Sequence, residues 1–215
     1  MSKIKVCHLY YDLMNLYGEN ANIRAIEKMC EYQGITCEVS LKTINDKIDF
    51  NSYDIYYMGS GDEKSELLVL EDMIKYKDKI KASIESGKTF IITGNASELF
   101  GSYIIDNDVK YDALGVFNYN SVHETFRIVG SVTFSTKLIK EKIIGFQNRC
   151  GVMNDIDKPL FKVISGTGSS INSKTEGIHY KNFYATYVFG PLLIRNPYFT
   201  NYILKNIMKE KNPKY

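Results

Sequence analysis

Two glycine turns in this chain have the residue types and spacing of a site for an anion or a reactive side chain. Gly59-Ser60-Gly61 could direct backbone N–H groups at an oxyanion. Gly94-Asn95 has the sharp strand-to-helix form on which covalent enzymes hold a nucleophile. These turns and Asn95 are therefore candidate ligand-binding residues. The alternative is that the glycines serve only as turns, which any α/β protein requires.

Both turns follow segments with strand composition, and helix-periodic segments lie between the strands. The strands are predicted at Ile4 to Tyr10, Thr36 to Leu41, Asp54 to Met58 and Thr89 to Thr93, and the helices at Asn22 to Gln33, Lys64 to Glu85 and Pro197 to Lys211. This alternation favours βαβ units and a parallel sheet, and such sheets bind ligands beyond the carboxyl ends of their strands.

The remaining segments complete one predicted domain, residues 1–215. A helix is expected at Ser97 to Phe100, further strands at Phe126 to Phe134, Ile143 to Phe146 and Phe161 to Ile164, and a buried strand running into a turn at Ala185 to Leu193. The predicted fold class is α/β: a single domain with a central, mainly parallel sheet flanked by helices on both faces.

Composition restricts the function classes. Lys and Arg number 27 against 25 Asp and Glu, a net charge of +2, which favours neither a nucleic-acid partner nor an anionic membrane surface. No apolar run is long enough for membrane insertion and no secretory signal is evident, so we expect a cytoplasmic protein. The four cysteines and three histidines lack metal-site spacing, so we expect no metal and no cofactor, and we interpret the cysteines as packing residues.

Several motifs, in order along nearly the whole chain, resemble those of class I (triad-type) glutamine amidotransferases. Within the cobyric acid synthase-like branch, they are similar to the glutaminase subunits of lipid II isoglutaminyl synthases. The motifs are Asp12 to Ile23, Gly59 to Gly61, Glu98 to Gly101, Gly145 to Asn148, Glu176 to Asn182, Thr186-Tyr187 and Gly190 to Leu193.

The resemblance implies an activity and a partner. Members of this family hydrolyse glutamine: a cysteine thiolate at the strand-to-helix turn attacks the side-chain amide, a histidine relays the proton, and a γ-glutamyl thioester forms. The ammonia passes to a Mur-ligase-like ATP-dependent subunit, which amidates the peptidoglycan stem peptide.

This chain departs from the family at both reactive positions. Where the family reads C-G-G-Y-Q-L-L-G, the nucleophile position here is Gly94, and where it reads T-Y-L-H-G-P, the base position is Phe189. Glycine cannot form a thioester and a phenyl ring cannot accept a proton. We therefore expect no catalytic residues and no useful glutaminase activity.

Few other side chains could replace the missing nucleophile or base. Thr93 and Ser97 flank the turn without an evident base, and Cys150 is expected to lie away from it. Arg127 matches a family arginine that helps to bind glutamine, although it could equally be an exposed charge on a strand.

Three hypotheses remain open. The first is a catalytically silent subunit that acts as scaffold or allosteric partner of the Mur-ligase-like chain, with free ammonia as nitrogen donor. The second is a sensor that binds glutamine or a related amide. The third is an active glutaminase with a displaced nucleophile.

Overall fold

Within residues 2–212, which the computed structural model describes, the chain forms twelve strands. They are β1 (Lys3–Leu9), β2 (Thr36–Lys42), β3 (Ile55–Met58), β4 (Thr89–Thr93), β5 (Tyr103–Asp106), β6 (Val109–Asp112), β7 (Asn120–Ser135), β8 (Ile143–Asn154), β9 (Phe161–Ser165), β10 (Thr175–Glu176), β11 (Ile178–Tyr180) and β12 (Phe183–Thr186). Residues 1 and 213–215, the ends of the predicted domain, lie outside the described part.

Six of these strands form the predicted central sheet, in the order β11-β12-β4-β3-β1-β2. All neighbours are parallel except β11 and β12, which form an antiparallel pair at the edge. The helices are α1 (Asn20–Tyr32), α2 (Glu63–Ile74), α3 (Lys77–Glu85), α4 (Leu192–Arg195) and α5 (Pro197–Lys211), and a 3-10 helix spans Gly94–Phe100. The α/β fold class is confirmed.

Helices cover both faces of this sheet, and the alternation of side chains along each strand separates two cores. Phe90 and Ile92 of β4 point into the core that contains α2 and α3, whereas Ile91 points into the core that contains α1 and α5. Because both faces are covered, every residue of β3 and β4 is buried, and only the threonines at the two ends of β4 interrupt their apolar and aromatic side chains.

A second, mostly antiparallel sheet was not predicted. Its order is β10-β9-β7-β5-β6, with β8 paired to the long β7. The sequence indicated short strands here, but β7 and β8 run for 16 and 12 residues. A register shift between His123 and Ile128 bends β7, and a backbone bridge between Phe146 and Phe189 joins β8 to the segment that follows β12.

The helix predicted at Lys64 to Glu85 is wrong in one respect, because two helices occupy it. The chain turns at Tyr76, whose ring is buried and whose hydroxyl donates a hydrogen bond to the Asp46 carbonyl (2.8 Å). Ile74, which a continuous helix would bury, is 48% exposed. The buried Tyr76 ring and its hydrogen bond to Asp46 therefore favour a break in the helix, although the spacing of apolar residues favours a continuous one.

Among the described helices, none combines the length and apolar character that crossing a membrane requires.

Candidate functional site

The two glycine turns lie side by side because β3 and β4 are adjacent parallel strands. Met58 pairs with Ile92, so both turns leave the sheet at the same edge. Asn95 joins them, since its Oδ1 accepts hydrogen bonds from Ser60 Oγ (3.1 Å) and from the Gly61 N–H (3.0 Å). The structure thus brings together the turns that the sequence singled out.

A cavity of about 250 Å³ opens at this edge of the sheet. Of the residues predicted from the sequence, its lining includes Ser60, Gly61, Gly94, Asn95, Arg127 and Phe189. Gly59 is not among the lining residues and packs instead under the turn. A Cβ at Gly59 would lie 2.5 Å from Glu19 Cβ and 2.6 Å from the Met14 carbonyl oxygen, so close packing explains this glycine.

Gly94 has a left-handed backbone conformation, with φ of +67°. A Cβ built on it would lie 2.5 Å from Ser60 Cβ and would overlap Ser60 Oγ even more closely. The Ser60 side chain therefore fills the space that a side chain at residue 94 would need. The turn thus combines a left-handed backbone with no room for a side chain at residue 94 unless Ser60 moves.

Phe189 is 3% exposed and belongs to an aromatic cluster at the cavity wall. Its ring stacks on Tyr17, with centroids 4.0 Å apart and planes 2° apart, and lies edge-on to Phe146 at 5.9 Å. Residue 189, which the sequence analysis aligned with the family's base, is thus a packed apolar ring.

The hydroxyl groups next to the turn are already engaged elsewhere. Thr93 donates to Glu19 Oε2 (2.9 Å), and Ser97 donates to the Thr186 carbonyl (3.1 Å). Both residues are fully buried, and neither lines the cavity. The turn itself is a 3-10 helix from Gly94, rather than the helix predicted at Ser97 to Phe100.

Cys150 corrects a prediction, because it lines the same cavity as Gly94. The sequence placed it away from the turn, because of its match to a family motif; in the structure β8 continues to Asn154 and carries Cys150 to the cavity. Its thiol donates to Glu63 Oε1 (3.4 Å). Burial, and then the Glu63 charge, raises the pKa of Cys150 to about 12, so the thiol stays protonated and is a poor nucleophile near neutral pH.

A histidine and two glutamates, which sequence reasoning missed, form the charged wall of the cavity. His123 Nε2 lies 3.0 Å from Glu98 Oε2 and 3.9 Å from Glu66 Oε2, and its Nδ1 lies 3.1 Å from Asp106 Oδ1. Burial alone would lower the pKa of His123, but Glu98 and then Asp106 raise it to about 9. As long as the imidazole holds this proton, it cannot serve as a general base at neutral pH.

Arg127 lies at the mouth of the cavity on the bent part of β7. Its Nη1 lies 3.2 Å from Glu63 Oε1, and its Nε donates to Asn148 Oδ1 (2.8 Å). The side chain is 45% exposed. The structure therefore places this arginine where a ligand could reach it, although its donors already have protein partners.

The parallel sheet thus ends in two glycine turns above a polar cavity, an arrangement compatible with the amidotransferase class. The chain belongs to the CobB/CobQ-like glutamine amidotransferase domain family, whose model matches residues 5–197.

Two curated relatives match over nearly the full chain. The chain is 29% identical over 213 residues to "Lipid II isoglutaminyl synthase (glutamine-hydrolyzing) subunit GatD" of Streptococcus pneumoniae, covering 97% of this chain and 82% of that protein. It is 29% identical over 212 residues to the subunit of the same name from Staphylococcus aureus, covering 98% of this chain and 87% of that protein.

Proposed function

We propose that this protein is a degenerate amidotransferase subunit of a complex of the lipid II isoglutaminyl synthase type, without glutaminase activity. One observation carries the proposal: Gly94 stands at the nucleophile position, and the Ser60 side chain fills the space beside it. A thiol at that position could not form without displacing Ser60. The names of the two relatives, both subunits of a lipid II isoglutaminyl synthase, support the type of complex. We propose that its pathway is amidation of peptidoglycan stem peptides in the cytoplasm.

The second reactive position supports the same conclusion. Phe189 is locked between Tyr17 and Phe146 and offers no proton acceptor. Loss of either the nucleophile or the base alone would disable thiol chemistry. Once both are lost, selection no longer keeps space in the cavity for either group. Cys150 does not restore it, because burial and the charge of Glu63, to which its thiol donates, raise the pKa of Cys150 to about 12 and keep the thiol protonated.

In this proposal the protein serves a Mur-ligase-like, ATP-dependent amidating subunit as scaffold or allosteric partner, while free ammonia supplies nitrogen. Co-expression with such a ligase and purification through a tag on either chain tests the association. A protein that elutes alone at micromolar concentration in every trial would contradict it.

A glutaminase assay tests the loss of activity. The purified protein, alone and with the co-expressed ligase, should release no glutamate from glutamine above the rate of a no-enzyme blank. The Streptococcus pneumoniae relative with its own partner is the positive control. Turnover that disappears in Cys150→Ala would favour the displaced nucleophile and overturn the proposal.

A second candidate function, glutamine or amide binding without cleavage, is favoured by the cavity itself. About 250 Å³ of space remains, with Asn95 in its wall and Arg127 at its mouth. Calorimetry with glutamine tests this candidate, and the absence of heat at millimolar glutamine would remove it.

A further inference from the structure

We propose that Glu66, Glu98 and His123 bind a divalent transition-metal cation inside the cavity, a site independent of any glutamine chemistry. The three residues come from α2, the 3-10 helix and β7, and one ligand atom of each lies within 4.8 Å of the other two. Metal ligands that sit about 2.0–2.2 Å from an ion are roughly 3–4 Å apart. The separations of 3.0 Å and 3.9 Å from His123 Nε2 to Glu98 Oε2 and Glu66 Oε2 fall in this range.

Two buried carboxylate oxygens in the cluster lack a hydrogen-bond partner within the described part of the chain. Glu66 Oε1 and Glu98 Oε1 are buried and have no hydrogen-bond partner among the described residues, and both side chains are only 1% exposed. Buried carboxylate oxygens ordinarily have hydrogen bonds or coordinate metals, because leaving them unpaired is costly. Both residues line the cavity, so an ion could reach them from solvent.

The surroundings hold the ligands as they are held in metal sites. His123 presents Nε2 to the glutamates, while its Nδ1 faces Asp106 Oδ1 at 3.1 Å. A carboxylate on the far ring nitrogen is the usual support of a metal-binding histidine, because it fixes the orientation of the ring. Glu66 is fixed in turn by Asn95, whose Nδ2 donates to Glu66 Oε2 (2.8 Å).

The donor set favours certain ions. One imidazole with two carboxylates suits zinc, manganese or ferrous iron, whereas calcium and magnesium prefer oxygen ligands alone. The competing arrangement is a metal-free ion pair in which a protonated His123 bridges Glu98 and Asp106. The two arrangements predict opposite results when a metal is added.

Calorimetry on the full-length protein, stripped with a chelator and dialysed, tests the site with ZnCl₂ or MnCl₂ alone as the titrant. We expect one equivalent to bind with micromolar or tighter affinity and to raise the melting temperature. Glu66→Gln, which keeps the shape and can still accept from Asn95, should weaken binding at least about 100-fold, since even supporting residues typically cost 10–100-fold. Glu63→Gln is the matched control: it lines the same cavity but pairs with Arg127, and it should bind like wild type.

Cobalt absorption on the wild-type protein provides a readout that needs no variant. Co²⁺ should give visible d–d bands that one equivalent of Zn²⁺ abolishes. If neither zinc, manganese nor cobalt binds below millimolar concentration, the ion-pair arrangement is correct and the proposal is overturned. If Glu66→Gln binds zinc as tightly as wild type, the ion binds elsewhere, and the proposal is again overturned.

Discussion

Replacing Gly94 with alanine should destabilise this protein in two separable ways. The new Cβ must adopt a φ of +67°, which L-residues disfavour, and it must displace the Ser60 side chain, whose Cβ would be only 2.5 Å away. Gly34 provides a matched control, because its φ is +66° and a Cβ there would meet nothing within 4 Å. The control therefore measures the backbone effect alone.

The expected magnitudes follow from these two effects. A left-handed conformation costs an L-residue about 1–2 kcal/mol, which is the whole expected loss for Gly34→Ala. Overlap in a packed region adds about 1–3 kcal/mol at Gly94. Gly94→Ala should therefore lose about 2–5 kcal/mol of unfolding free energy. In a Ser60→Gly background only the backbone part should remain.

Urea unfolding of the four proteins in the Gly94→Ala and Ser60→Gly cycle measures the coupling directly. We expect a coupling free energy of about 1–3 kcal/mol that favours the double variant. Strict additivity, or a loss at Gly94 equal to that at Gly34, would refute the inference that Ser60 occupies the space of the nucleophile.

Two further predictions concern buried groups away from the cavity. Burial raises the pKa of Glu176 from 4.5 to about 7, so the fold binds its proton more tightly than the unfolded chain does, and stability should fall as pH rises from about 4.5 to 7. Glu176→Gln can still accept a hydrogen bond from the Tyr187 N–H but does not titrate. Its unfolding free energy in urea should therefore rise by about 3 kcal/mol relative to that of wild type between pH 4.5 and pH 8. Parallel curves of unfolding free energy against pH would contradict this. Tyr76→Phe removes the hydrogen bond to Asp46 and should cost about 1 kcal/mol. The exposed Tyr32→Phe should change unfolding free energy by less than about 0.5 kcal/mol, and an equal loss in both would show that the Tyr76 hydroxyl contributes nothing specific.

The central sheet was predictable because its strands are buried on both faces. Thr89 to Thr93 was placed without error, and the predicted strand at Asp54 to Met58 differs from β3 by one residue. The closing helix was also placed correctly, because Pro197 favours the first turn of a helix. In each case the local sequence and the tertiary environment favour the same structure.

The far wall of the cavity could not be predicted from local sequence patterns, and Arg127 was expected at the site only from the family resemblance. Cys150 and Arg127 reach it only through the length of the β7–β8 pair and the register shift between His123 and Ile128. Strand pairing across many residues depends on contacts distant in sequence, which no local pattern reports. His123 likewise appeared to be an isolated histidine, because Glu66 and Glu98 lie on other elements.

The crowding of Ser60 against Gly94 also constrains how such a protein can evolve. A larger residue acquired first at position 94 would enter an occupied space and carry a folding penalty from the outset. Shrinkage at position 60 must come earlier, and it sacrifices the hydrogen bond to Asn95 while offering no immediate gain. Acquiring a thiol at position 94 is therefore an ordered path of two substitutions, and the first of them brings no gain.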